Sequence, residues 1–124
     1  MTKKAPLELV KIIAQAIYDK KGLNILVLDV QGLSSITDYL IVAEGNVDRH
    51  VNAIGHYVME IMKDYGERPI YAEGFSEGSW VAIDYLDFIV HVFGPGLRDF
   101  YAIERIWPSA KIVELNLTEH VSTA

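Results

Sequence analysis

Residues 23–30, Leu-Asn-Ile-Leu-Val-Leu-Asp-Val, form an almost unbroken aliphatic run. A strand apolar at successive positions must be covered on both faces, because one facing water on one side would alternate. A second run, Tyr39 to Ala43, follows the polar loop Gln31 to Thr37 and ends at Gly45. Two such strands in a short chain demand helices to cover a sheet, which sets the class as α/β. The helices are legible. Pro6 suits the first turn of one, where its missing N–H costs nothing. Leu9, Val10, Ile12, Ile13, Ala16 and Ile17 then recur at helical spacing, and Gly22 reads as the C-cap. Asn46 is the expected cap of a second helix, with Asp48 in its first turn. Its apolar stripe is Val47, Val51, Ile54, Val58, Ile61, Met62 and Tyr65, and Arg49, Asn52, His56, Glu60 and Lys63 take the wet side.

Pro69 to Glu73 reads as a short strand, so residues 39–73 predict a right-handed βαβ unit. Trp80–Tyr85 and Phe88–Phe93 read as a hairpin around Leu86-Asp87. Pro95 or Gly96 is expected to open a third helix that runs to Trp107 and stops at Pro108. Lys111 to Leu115 reads as a last edge strand. The pattern predicts one domain over residues 1–115 with a mixed β-sheet of about five strands and flanking helices. Residues 116–124 form a polar C-terminal tail expected to fray. With 124 residues, 51% of them apolar, such a domain can build its own core.

Composition removes several kinds of chemistry. There is no cysteine, which excludes disulfides, thiolate metal sites and cysteine nucleophiles. Eleven Lys and Arg against seventeen Asp and Glu give a net charge of −6, a poor balance for gripping a phosphate backbone. No apolar run approaches the roughly 18 residues that span a bilayer, and Met1-Thr2-Lys3-Lys4 is followed by Glu8 and Lys11 rather than an export core. The expectation is a cytoplasmic protein with no membrane contact. Gly32-Leu33-Ser34-Ser35 with Asp38, Asp84 and Asp87 invites a nucleotidyl-transfer reading with two Mg²⁺ ions. Metal-binding acids on one strand face should sit at i and i+2, whereas Asp84 and Asp87 flank a turn. His50 and His56 are six apart, not the i,i+4 spacing of a helical zinc pair. Catalytic residues, a metal and a cofactor are therefore not assigned, and the chain is read as a non-enzyme.

The hairpin is more informative. If Leu86-Asp87 centres it, Trp80 faces Phe93, Ala82 faces His91 and Asp84 faces Ile89, and cross-strand partners share a face. Val81, Ile83, Tyr85, Phe88, Val90 and Val92 then fill a wholly apolar face that belongs on the core. The other face carries Trp80, His91 and Phe93 with an aspartate among them. Such a mixed face suits a protein partner, with Trp as an anchor; the alternative is that a helix of the same chain covers Trp80 and Phe93.

Asp29-Val30-Gln31-Gly32-Leu33-Ser34-Ser35-Ile36-Thr37-Asp38-Tyr39 resembles the D-V-x-G-x-S-S-x-T-D signature of the ribosomal silencing factor family, also called Iojap or RsfS. Further segments agree in order and spacing. They are Gly45 with Asp48-Arg49-His50-Val51, Glu73-Gly74 with Trp80-Val81 and Asp84, Asp87 with Val90-His91-Val92-Phe93, and Arg98, Tyr101, Glu104 and Trp107. The resemblance implies a nucleotidyltransferase-like fold without its catalytic acids. It also implies a translational repressor that binds the large ribosomal subunit through ribosomal protein uL14 and blocks joining of the small subunit, so that initiation falls under nutrient limitation. A homodimer is implied for the free protein, with little direct nucleic-acid contact. The partner-binding positions that match are Trp80, Tyr85 and Phe93, and parity adds His91. A degenerate nucleotidyltransferase-like enzyme or nucleotide-binding protein is the competing class. Two departures from the family pattern stand out. Leu86 occupies a turn position where the family often has glycine, and Asn46-Val47 replaces a small hydroxyl pair.

Overall fold

The computed structural model describes residues 4–119. Its strands are β1 (Leu23–Asp29), β2 (Tyr39–Glu44), β3 (Tyr71–Glu73), β4 (Trp80–Asp84), β5 (Phe88–Phe93) and β6 (Lys111–Ile112). They form one six-stranded mixed sheet in the order β3-β4-β5-β2-β1-β6, in line with the mixed sheet of about five strands expected. The aliphatic β2 lies at its centre, parallel to β5 and antiparallel to β1, and every residue from Tyr39 to Ala43 is buried. β1 meets the two-face expectation only in its second half. Asn24 sits at φ +51, the register slips between Leu23 and Leu26, and Leu23 is exposed. The βαβ reading also needs a correction, since β2's parallel neighbour is β5. β3 lies at the sheet edge, antiparallel to β4.

The helices α1 (Pro6–Asp19) and α2 (Asp48–Asp64) cover one face. Their stripes meet Val27, Ile41, Val81, Ile83, Tyr85, Phe88, Val90 and Val92 in the main core. α1 begins at Pro6 as expected but ends differently. Lys21, not Gly22, takes the left-handed conformation (φ +65), and the Gly22 N–H closes the last turn on the Ile17 carbonyl at 2.8 Å. Gly22 is needed for space, because a Cβ there would lie 2.9 Å from that carbonyl oxygen. Asn46 does not cap α2. The N-cap is Val47, without a side-chain bond, and the Asn46 N–H is held by His50 Nδ1 at 2.9 Å.

The opposite face is covered by the chain beyond β5. Instead of one helix to Trp107, the backbone makes a five-residue α3 (Leu97–Tyr101), turns at Ala102 (φ +49), and adds a 3₁₀ turn at Ile103–Arg105. Leu97, Ile103, Trp107 and Ala110 pack on Leu28, Val30, Leu40, Val42 and Phe93. The Arg98 guanidinium anchors this cover to the Glu44 carboxylate at 3.1 Å and to the Asn24 carbonyl. Beyond β6, part of the expected tail lies against the domain, and its residues 120–124 fall outside the described residues. Leu115 and Leu117 pack on the main core, and the Thr118 backbone exchanges two hydrogen bonds with the Gln15 side chain. No helix of the described residues is long and apolar enough to cross a membrane.

Candidate partner-binding face

The hairpin register is the one the sequence predicts: Trp80 opposite Phe93, Ala82 opposite His91, Asp84 opposite Ile89. The α3 cover closes this end of the sheet only in part. Phe93 is fully buried under it, whereas Trp80 and His91 retain partial exposure. The alternative of a same-chain cover therefore holds for Phe93, and an exposed anchor there is ruled out. Tyr85 is also buried, on the helix side. Its phenol oxygen finds no hydrogen-bond partner among the described residues, and burial beside Glu67 pushes its pKa up to about 12.

Three rings meet at the open end. The Trp80 indole stacks on Phe93 with centroids 5.1 Å apart and donates its Nε1–H to His91 Nδ1 at 3.0 Å. With Nδ1 accepting, the imidazole proton sits on Nε2. Burial lowers the His91 pKa to about 4, against the opposing pull of Asp84 and Glu73, so the ring is neutral at physiological pH. Trp80 is thus held by a stack from below and a hydrogen bond from the side. An anchor fixed in this way loses little freedom on docking.

β3 widens the face. Tyr71 pairs with Asp84 and Glu73 with Ala82, which sets both on the side of Trp80. Tyr71 donates its hydroxyl to Glu73 at 2.9 Å, and that bond raises the tyrosine's pKa. A depression of about 270 Å³ opens between Glu73, Glu77, Ser79, Trp80, Ala82 and Leu97. The loop behind it approaches closely: Gly74 sits at φ +91, and a Cβ there would fall 1.9 Å from the Trp80 carbonyl oxygen. Sequence reasoning missed Tyr71 and Glu73, although their alternation across Ala72 was the available signal.

The residues suggestive of catalysis have structural partners. Asp84 Oδ1 accepts the Leu86 N–H at 2.8 Å within the hairpin turn. Ser34 Oγ accepts the Ile36 N–H at 3.2 Å. His50 accepts from Asn46 and bonds the Lys20 carbonyl through Nε2 at 2.7 Å, so it staples the end of α1 to the start of α2. His56 packs against Phe75 with the rings tilted by 43° and their centroids 4.4 Å apart. Among the described residues no group of three or more His, Asp or Glu side chains is placed to hold a metal ion.

The family model described as "Ribosomal silencing factor during starvation" matches residues 3–124. The chain belongs to the ribosomal silencing factor family. Ribosomal silencing factor RsfS of Bacillus subtilis is 36% identical over 108 residues, spanning 87% of this chain and 92% of its own. A crystal structure of a Chromobacterium violaceum protein matches with a TM-score of 0.82 at 34% identity, covering 93% of this chain and 95% of that one. A more distant relative is "Mitochondrial assembly of ribosomal large subunit protein 1" of Mus musculus, 24% identical over 79% of this chain and 44% of its own length. In this member of the family, the signature segment 29–39 forms the loop that holds the hairpin turn. Thr37 Oγ1 donates to the Leu86 carbonyl at 3.0 Å, and the Asp38 N–H donates to the Asp87 carbonyl at 3.1 Å. Gly45, from the second segment, donates its N–H to the Phe93 carbonyl at 2.8 Å. The motifs therefore converge on the two ends of one hairpin.

Proposed function

We propose that the protein is a translational repressor that binds the large ribosomal subunit through ribosomal protein uL14. Once bound, it blocks joining of the small subunit and lowers initiation under nutrient limitation. The observation that carries this reading is the partly exposed Trp80, stacked on Phe93 and bonded to His91 where the α3 cover leaves the sheet partly open. Trp80 is the anchor, His91 fixes its indole, and Phe93 supports it from below. Tyr85 stiffens the far end of the hairpin through its contact with Phe88. The acids beside the rings, Glu73, Glu77 and Asp84, suit a basic ribosomal protein and would steer the encounter. The description of the family and the large-subunit name of the mouse relative favour the same target. When free, the protein covers this face in a C₂ homodimer, the commonest symmetric solution for an open aromatic patch.

Co-sedimentation with isolated large and small subunits tests the reading. The protein should pellet with large subunits only, and pre-bound large subunits should form fewer joined ribosomes in a sucrose gradient. Binding should weaken gently with salt, without the steep slope of RNA-backbone contacts. Absence of binding, or binding to the small subunit alone, would overturn it.

A further inference from the structure

Leu86 is unfavourable to the fold in two ways. Its backbone is left-handed, φ +77, at the first central position of the hairpin turn. The Asp87 N–H closes on the Tyr85 carbonyl at 3.0 Å across it, a tight turn with positive φ at its centre, where glycine sits without strain and leucine does not. Its side chain is 60% exposed, so little core packing offsets the strain. Strain held at an exposed tip points to a use outside folding.

Hydrogen bonds bring three segments together at this tip. Thr37 and Asp38 bind the carbonyls of Leu86 and Asp87, and the Ile70 N–H binds the Asp84 carbonyl at 2.8 Å. Each segment carries an exposed branched side chain: Ile36 at 66%, Ile70 at 65% and Leu86 at 60%. The carboxylates of the three segments are Asp38, Asp84, Asp87 and Glu67, against the single cation Arg68. The tip is therefore apolar with an acidic rim. It lies at the end of the hairpin opposite Trp80, about 20 Å away at ordinary strand rise. Both points fall within one interface of standard size.

We propose that Leu86, flanked by Ile36 and Ile70, is a second anchor of the same docking surface, seating in an apolar pocket ringed by lysine or arginine on a large-subunit protein. This rests on the large-subunit reading above. It adds a residue whose contribution to binding opposes its contribution to stability.

That opposition is the test. Leu86→Gly and Leu86→Asn both relieve the left-handed strain and remove the apolar tip, while Leu86→Met keeps an apolar side chain. Purified wild type, the three variants and Trp80→Ala are compared by thermal melting and by titrated co-sedimentation with large subunits. The Gly and Asn variants should melt at or up to about 3 °C above wild type and bind about tenfold more weakly. The Met variant should bind as wild type does. Gly and Asn variants that bind normally would overturn the proposal and leave the Trp80 reading intact. Weaker binding accompanied by a lower melting temperature would also overturn it, since the side chain would then be supporting the turn. A wild type that fails to bind large subunits would remove both this proposal and the reading it rests on.

Discussion

On one side of the sheet, Val81, Ile83, Val90 and Val92 are sealed beneath α1 and α2. On the other, the five-residue α3 and the turn after it seal Phe93 but leave Trp80 and His91 an outlet to solvent. The same hairpin supplies both faces, residue by alternate residue. The sealed face uses aliphatic side chains, with Tyr85 and Phe88 at the turn end, all of them buried. The half-open face uses aromatic and polar side chains that satisfy one another and still have surface to offer. On the proposed reading, strand parity separates folding from docking at Trp80 and His91, while Phe93 serves the second core.

The hardest break of this contrast is a charge on the sealed side. Val90→Asp should cost about 5 kcal/mol or more and leave the domain unfolded by circular dichroism, since a carboxylate there has no water. Phe93→Ala, at the boundary between the covered and open ends, should cost about 3–5 kcal/mol in urea melts. A loss below about 1 kcal/mol would mean that the α3 cover is not a second core. His91 sharpens the picture through pH. Its folded pKa of about 4 lies below the ordinary 6.5, so between those values the unfolded chain takes up the proton and the folded one does not. Stability should be full above pH 6.5 and fall as pH drops from 6.5 to about 4, by about 3 kcal/mol from this residue. His91→Gln, which keeps an acceptor for the Trp80 indole, should flatten that slope relative to wild type; parallel slopes would place His91 in water. The smallest effect belongs to Tyr85→Phe. Removing a buried hydroxyl without a partner should leave stability unchanged or raise it by up to about 1 kcal/mol. A clear loss in urea melts would show that the hydroxyl is satisfied after all.

How far the sequence could be read depends on the range of the physics involved. The hairpin register was legible because a two-residue turn between alternating strands admits one pairing. The stripes of α1 and α2 were legible because a repeating apolar face needs no knowledge of its partner. The break at Ala102 was not, since alanine favours helix and only packing on the second face turns the chain there. The cap expected at Asn46 falls one residue later, on Val47, while the Asn46 backbone N–H is held by His50. The share of β3 in the open face was hidden because its partner strand comes later in the chain. Of the expected site residues, Trp80 and His91 are where parity put them. Phe93 is beneath the surface because Leu97, Ile103 and Trp107 fold back over that end of the sheet, a contact that strand alternation cannot foresee.

The contrast between the faces is tested most directly by co-sedimentation of Trp80→Ala with large ribosomal subunits, alongside circular dichroism. Because the sealed face is untouched, the variant should keep the wild-type spectrum and lose about 2–4 kcal/mol of binding, roughly 30- to 1,000-fold. A folded Trp80→Ala protein that pellets with large subunits as well as wild type would contradict the assignment of the open face.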